Sequence, residues 1–226
     1  AKGVSNYAIS LVNRAIVAAG GPPNVIVGIE KPTMESAGIM MKHKSIAILV
    51  VTGGPAVVAA AMNSGKKTIG AGPGNPPCVV DETADLVQAG RDIVLGAGFD
   101  NNIVCIDEKE IIAVASIADR LKQELAKNRA FELTGEQIDK VTKLVIADPG
   151  RPGHEGAANK KFVGMDAWRI AAEAGISAPQ GTPILFCEVP QDHPLVWTEQ
   201  LMPVIPLVRV PDVDAAIALA VECEHG

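Results

Sequence analysis

Ile46-Ala47-Ile48-Leu49-Val50-Val51-Thr52-Gly53-Gly54-Pro55 places six apolar residues in a row ahead of a polar residue, two glycines and a proline. An apolar run this short and this continuous fits a strand covered on both faces, the kind found in parallel sheets flanked by helices. The glycines permit a tight turn, and Pro55 suits the first turn of a helix, where its missing N–H has no partner to lose. That helix runs through Met62, and Lys67 to Ile69 reads as a short strand, so the segment is a βαβ unit. Towards the N-terminus, Tyr7, Ile9, Leu11, Val12, Ala15 and Ile16 fall on one helical face that closes at Gly20-Gly21-Pro22-Pro23. Val25 to Ile29 then reads as a buried strand and Met34 to Met41 as a helix.

In the other direction, the glycine-rich Gly70-Ala71-Gly72-Pro73-Gly74 interrupts the pattern, which places a domain boundary after residue 72. Strands are expected at Cys78–Val80, Ile111–Ala115, Ile184–Glu188 and Ile205–Val210. Helices are expected at Ala84–Gly96, Ile117–Lys127, Glu136–Leu144, Ala167–Ala174 and Val213–Val221, the last capped by Asp212. A polar Gly/Pro-rich loop spans Asp148 to Gly156, and no internal repeat occurs. The chain opens almost directly in a helix and closes just after another, as an excerpt of a longer polypeptide would.

Hydrophobic residues make up 48% of the 226 positions and aromatics only 3%, which suits close helix-on-sheet layers of an α/β fold. A net charge of −6, with no basic run longer than Lys66-Lys67 and Lys160-Lys161, argues against a nucleic-acid surface. No stretch is long enough to span a bilayer and the first residues lack the pattern of a signal peptide, so a cytoplasmic protein acting on small molecules is expected. Cys78, Cys105, Cys187 and Cys223 are scattered, without a CxxC pair or a histidine at ligand spacing, so neither a metal site nor a disulfide framework is indicated.

Cys105 follows the polar turn Phe99-Asp100-Asn101-Asn102 and precedes a strand, an address from which a side chain can face a cleft. Read alone, it is either a small buried hydrophobe or a nucleophile. Cys78 and Cys187 in apolar strand runs, and Cys223 near a helix end, read as packing. Thr52-Gly53-Gly54 offers backbone N–H groups at a strand-to-helix turn, where a phosphate could sit, although a tight turn needs glycine in any case. His154 and His193 are loop histidines with either an acid–base or a solvated role. Glu199 is an acidic residue ahead of the apolar Leu201-Met202-Pro203-Val204. Arg151, His154, Lys160 and Lys161 form a basic cluster that could meet the phosphates of coenzyme A or simply be solvated.

Taken together, Thr52-Gly53-Gly54, the string Gly72-Pro73-Gly74-Asn75-Pro76-Pro77 through Asp81-Glu82-Thr83-Ala84-Asp85, the string Phe99-Asp100-Asn101-Asn102 to Cys105 and Glu108-Lys109-Glu110, and Thr198-Glu199-Gln200-Leu201-Met202-Pro203-Val204 resemble the aldehyde dehydrogenase superfamily. The match is best with its CoA-acylating branch, the propionaldehyde and acetaldehyde dehydrogenases of diol and ethanolamine degradation, whose chains are about twice this length. The resemblance implies a partial Rossmann-type NAD-binding domain over 1–72 and an α/β catalytic domain over 73–226. It implies Cys105 as nucleophile, Thr52, Gly53 and Gly54 at the NAD pyrophosphate, and Glu199 on the nicotinamide ribose. Implied partners are a short-chain aldehyde, NAD and CoA, in a homo-oligomer, with microcompartment shell proteins as further partners. It also implies that upstream sequence supplies the first nucleotide-binding strands and an oxyanion-hole asparagine, and that this excerpt alone is inactive. Where hydrolytic members carry a glutamate in a Glu-Leu-Gly-Gly string, this chain has Gly70-Ala71-Gly72-Pro73. Loss of that general base favours the CoA thiol over water as acyl acceptor. The alternatives are a hydrolytic or phosphorylating dehydrogenase, or a non-catalytic binding or assembly protein on the same fold.

Overall fold

The computed structural model describes residues 2–224, and the chain divides into two compact units, 1–72 and 73–226. In the first unit the order is α1 (Lys2–Ala18), α2 (Met34–Lys42), β1 (Ile48–Thr52), α3 (Pro55–Met62) and β2 (Lys67–Ala71). β1 and β2 pair in parallel, from Ile48 opposite Lys67 to Thr52 opposite Ala71, with α3 as their crossover. The βαβ unit is therefore present. Helix α2 is started by a reciprocal capping box between Thr33 and Ser36. β1 begins two residues later than its apolar run because the Ile46 carbonyl accepts from Lys66 Nζ at 2.8 Å and the Ile46 N–H bonds His43, which commits that residue to a turn.

The strand expected at Val25–Ile29 does not form: those residues are irregular and exposed. Their backbone partner is a side chain. Asn13 Nδ2 donates to the Ile26 carbonyl at 2.7 Å and Asn13 Oδ1 accepts from the Ile26 N–H at 3.2 Å. The Asn13 amide thus bonds both backbone groups of one residue as a neighbouring strand would, and among the described residues no strand pairs with the run.

The second unit is built on a five-stranded, all-parallel sheet of β3 (Pro77–Val80), β4 (Glu110–Val114), β5 (Phe131–Glu132), β8 (Leu185–Glu188) and β9 (Val204–Val210), in the spatial order β3-β4-β9-β8-β5. Successive side chains alternate between two apolar cores. Ile111, Ala113, Phe186, Ile205 and Leu207 face one core with α4 (Leu86–Ala97) and α5 (Ala115–Lys127). Ile112, Leu185, Cys187, Val204 and Val208 face the other with α6 (Glu136–Val145), α7 (Ala167–Glu173) and α8 (Val213–Cys223). All five residues of β4 are buried, as expected of a strand covered on both faces.

Most boundaries lie within a residue or two of those read from periodicity. α4 starts at Leu86 because Asp85 caps it, its Oδ1 accepting from the Val87 and Gln88 N–H groups. Asp212 caps α8 by accepting from the Ala215 N–H at 2.9 Å. Two-residue β5 escaped notice because periodicity needs more residues than it has. The loop at Asp148–Gly156 joins β6 (Ile146–Asp148) to β7 (Ala157–Ala158) in a small antiparallel ribbon whose bulge hides any alternation.

At the carboxyl ends of the strands an ion network ties sheet to helix. Arg209 on β9 binds Glu188 on β8 at 2.8 Å and Asp119 on α5 at 2.6 Å. Lys122 on α5 reaches Glu188 at 2.9 Å and Glu132 on β5 at 2.7 Å. Arg209 above all, with Lys122, pulls the Glu188 carboxyl down to about 2. The crossing of α4 and α5 is closer still. A Cβ on Gly90 would stand 2.5 Å from Glu124 Cβ and 2.9 Å from its backbone carbon. Gly90→Ala should therefore push the helices apart and cost about 1–3 kcal/mol, to be read as a lowered denaturation midpoint with an unchanged slope.

Candidate active site

The loops entering β3, β4 and β9 all leave from the amino edge of the parallel sheet, and they bring Gly74, Cys105, Lys109 and Glu199 to one place. The segment before Cys105 is held in an unusual conformation: Asp100, Asn101 and Asn102 have φ of 44°, 55° and 59° in succession. Asn and Asp tolerate this left-handed region better than other side chains, which is what the sequence supplies there. Buried Asn102 locks the turn by donating from Nδ2 to the Ala97 and Glu108 carbonyls, both at 2.9 Å. Asn101 anchors the outer side, donating to the Gly164 carbonyl and to Asp166, both at 3.0 Å.

Beneath the loop lies Lys109, fully buried. Its Nζ donates to Asn102 Oδ1 at 2.7 Å, to the Val104 carbonyl at 2.8 Å and to the Asn102 carbonyl at 3.0 Å. Burial pulls its pKa below the ordinary lysine value, opposed by the charges of Glu199, Asp107, Cys105 and Glu110. Cys105 is half-buried. Its carbonyl is backed by Gly74, where a Cβ would stand 3.0 Å away, so the close approach of these two loops requires glycine.

Glu199 completes the cluster. Burial raises its carboxyl above the usual range, while the Lys109 charge and the Gly74 N–H act to lower it. Its Oε1 is buried with no hydrogen-bond partner among the described residues. The preceding Thr198 fixes its place: Thr198 Oγ1 donates to the Pro194 carbonyl at 2.9 Å and accepts from the Gly150 N–H at 3.2 Å, so the β6–β7 ribbon braces the segment.

The other three thiols differ from Cys105. Burial pushes Cys78 up to about 11 and Cys187 and Cys223 up to about 12, which leaves them protonated and unreactive at neutral pH. His193 is a cap: its Nδ1 accepts from the Leu195 N–H at 3.3 Å at the start of a 3-10 turn, and burial lowers its pKa. His154 is exposed beside Asp148 at 3.3 Å, and Arg151, Lys160 and Lys161 are exposed as well.

In the first unit, Thr52-Gly53-Gly54 lies at the carboxyl end of β1 and the amino end of α3. The Gly53 N–H continues the sheet ladder to the Ala71 carbonyl at 3.1 Å, and the N–H groups of Gly54 and Ala56 have no backbone partner among the described residues. Gly54 has an ordinary φ of −64° and nothing within 4 Å of its would-be Cβ, so the unit's own packing does not demand glycine there. Beside it an apolar cleft of about 460 Å³ runs between α2 and α3, lined by Met34, Ala37, Met41, Pro55 and Val57 among others.

Lys109, Asn102, Asn75 and Glu110 were not singled out from the sequence. Their signal was present: Glu108-Lys109-Glu110 sets three charges directly against a strand with no exposed position. Glu110 is buried and pushed up to about 9 by burial and, less, by Glu224. Asn75 Nδ2 donates to Glu110 Oε1 at 3.0 Å and to the Val196 carbonyl at 2.9 Å, joining the entries to β3, β4 and β9. Folding raises this carboxyl's pKa, so the folded state binds the extra proton and stability falls as pH rises from about 4.5 towards about 9. Glu110→Gln keeps the Asn75 contact without that proton. It should melt higher than wild type at pH 8 and match it near pH 4, as thermal scans across pH would show.

Residues 3–226 match the model of the aldehyde dehydrogenase family. The chain is 48% identical, over its whole length, to acetaldehyde dehydrogenase (acetylating) EutE of Salmonella typhimurium and covers 48% of that protein. It is 46% identical to propanal dehydrogenase (CoA-propanoylating) of the same organism, again over its whole length, covering 47% of that relative. Among solved structures, a propionaldehyde dehydrogenase from a Clostridium phytofermentans fucose utilisation microcompartment superposes with a TM-score of 0.90 at 42% identity, over 100% of this chain and 50% of that one. A Rhodopseudomonas palustris propionaldehyde dehydrogenase with bound CoA and an acylated cysteine superposes at 0.86 and 46% identity, over 95% of this chain and 48% of that one. The chain thus spans about half the length of the curated relatives it matches. From a five-stranded parallel sheet, a cysteine loop at its amino edge and a family match over nearly every residue, the chain belongs to the aldehyde dehydrogenase family.

Proposed function

We propose that the full-length protein carrying this chain oxidises a short-chain aldehyde to the corresponding acyl-CoA, with Cys105 as nucleophile. The observation that carries this reading is the loop itself. Half-buried Cys105 is held by a buried Asn102–Lys109 framework beside Glu199, while desolvation pushes the thiols of Cys78, Cys187 and Cys223 up to about 11 or 12. Cys105 Sγ attacks the aldehyde carbon, a C–S bond forms and the carbonyl electron pair moves to oxygen, giving a tetrahedral thiohemiacetal. The Cys105 N–H, which has no acceptor among the described residues, would hold that oxyanion. NAD, when bound, accepts the hydride that converts the thiohemiacetal carbon to a thioester. The CoA thiol then takes the acyl group from Cys105.

The residues fit such a cofactor. The Gly54 and Ala56 N–H groups and the positive end of α3 suit a pyrophosphate, and the apolar cleft beside them suits a planar base. The unpartnered, buried Oε1 of Glu199 suits a ribose hydroxyl, which would supply the donor it lacks. The acceptor reading rests on Gly70 in β2, where hydrolytic members of the superfamily resembled by the sequence place a glutamate. The relatives named as acetylating and CoA-propanoylating support the same acceptor. A relative from a microcompartment supports action inside such a shell, with shell proteins as partners.

NADH formation by the full-length protein with propionaldehyde and NAD should require CoA, and Cys105→Ala should abolish it at least 10³-fold in both directions. Equal rates without CoA would replace the acylating reading with a hydrolytic one. Substantial turnover by Cys105→Ala would remove Cys105 from the nucleophile's role. Glu199→Gln should raise KM for NAD while leaving alkylation of Cys105 unchanged.

A further inference from the structure

The hydrogen bonds around the Val104–Cys105 peptide are lopsided. Its oxygen accepts twice, from Lys109 Nζ at 2.8 Å and from the Asp107 N–H at 3.1 Å. Its N–H, that of Cys105, has no acceptor among the described residues. Lys109 meanwhile places all three of its donors on neutral oxygens and forms no ion pair within 4 Å among the described residues. A buried ammonium without a carboxylate partner is costly to the fold, and a packed apolar side chain of the same length would serve stability as well or better. The charge therefore calls for a role beyond packing.

We propose that Lys109 is a positioning residue for the oxyanion hole: by gripping the Val104 carbonyl oxygen it polarises the Val104–Cys105 peptide, so that the Cys105 N–H holds the developing oxyanion more tightly. A cation on the oxygen of an amide draws electron density from its nitrogen and makes the N–H a stronger donor, and low surrounding dielectric strengthens the effect. The same three bonds orient the N–H, because Asn102 and Val104 flank the turn whose exit is Cys105. Gly74 keeps the far side of the loop in place without a side chain in the way. This inference rests on the assignment of Cys105 as nucleophile and says how its hole is made strong.

The test uses the full-length protein and no NAD. Incubation with propionyl-CoA carrying carbon-13 at the carbonyl transfers the acyl group: a bond forms from Cys105 Sγ to the carbonyl carbon, the bond to the CoA sulfur breaks, and CoA leaves as thiolate. The infrared carbonyl band of the acyl-enzyme then reports how strongly the hole pulls on the oxygen. In wild type it should lie below that of the same thioester on the unfolded chain. In Lys109→Met it should rise, and in Lys109→Gln, which keeps a neutral donor, it should fall between the two. Acyl transfer should slow by roughly tenfold in Lys109→Met, within the bound set by loss of a whole oxyanion donor. Crystal structures of both variants should show Cys105 in its wild-type place, so a displaced loop would be recognised. A band that is the same in wild type and both variants overturns the role of Lys109. If neither variant folds, a wild-type band no lower than that of the unfolded thioester overturns it as well. Failure of propionyl-CoA to label Cys105 at all would instead overturn the proposed function.

Discussion

The buried ammonium of Lys109 is the constraint on which the second unit's site depends. An unsolvated cation has to be surrounded by oxygen, and the oxygens nearest in sequence are carbonyls of the loop above it. To aim the Asn102 carbonyl, the Asn102 side chain and the Val104 carbonyl at one point, the chain takes three left-handed residues in a row. Left-handed backbone is strained for most side chains. It is held here because the Asn102 amide bonds the end of α4 and the residue before Lys109. One electrostatic requirement thus links the end of a helix, the cysteine loop and the entry to β4. Cys105 owes its place to that requirement more than to apolar packing.

The candidate site residues of the two units lie at opposite ends of their own strands. In open α/β sheets, ligands usually bind beyond the carboxyl ends, where helix N-termini converge. The first unit follows that habit, with Thr52-Gly53-Gly54 at the carboxyl end of β1 and the start of α3. In the second unit the carboxyl ends of β5, β8 and β9 are taken up by Arg209, Glu188, Lys122 and Glu132. The candidate site lies instead at the amino edge, where long irregular loops enter β4 and β9. Such loops can carry strained backbone and buried polar groups that helix N-termini would not accommodate. The ion network meanwhile cross-links three strands and α5, which keeps the sheet stiff behind the loop that holds Cys105.

A second buried polar cluster works in concert with the first. Glu110, kept protonated by burial, and Asn75 bind the entries to β3 and β4 to the carbonyl of Val196. Because Gly74 precedes Asn75 and Lys109 precedes Glu110, each residue of the lock is the chain neighbour of a residue in the site. The β4 strand on which the Lys109 loop ends is buried on both faces, so small displacements of that loop are resisted by the two apolar cores beneath.

Periodicity and turn chemistry determined the order of helices and strands, because buried parallel strands announce themselves as short apolar runs and helices by a stripe and a cap. Asp212 and Pro55 were legible for that reason, and the ordered motifs around Cys105 pointed to the family. Val25–Ile29 carried the same apolar signal without becoming a strand, since a strand also needs a neighbour, and here Asn13 takes the backbone instead. Two-residue β5 and the bulged ribbon were too short to leave a period. What tertiary structure alone decided was the company each polar residue keeps. Lys109, Asn102, Glu110 and Asn75 look in sequence like ordinary loop residues. Only folding removes their water and commits each to its partners, within the cysteine loop for Lys109 and Asn102 and across distant segments for Asn75 with Glu110 and Val196.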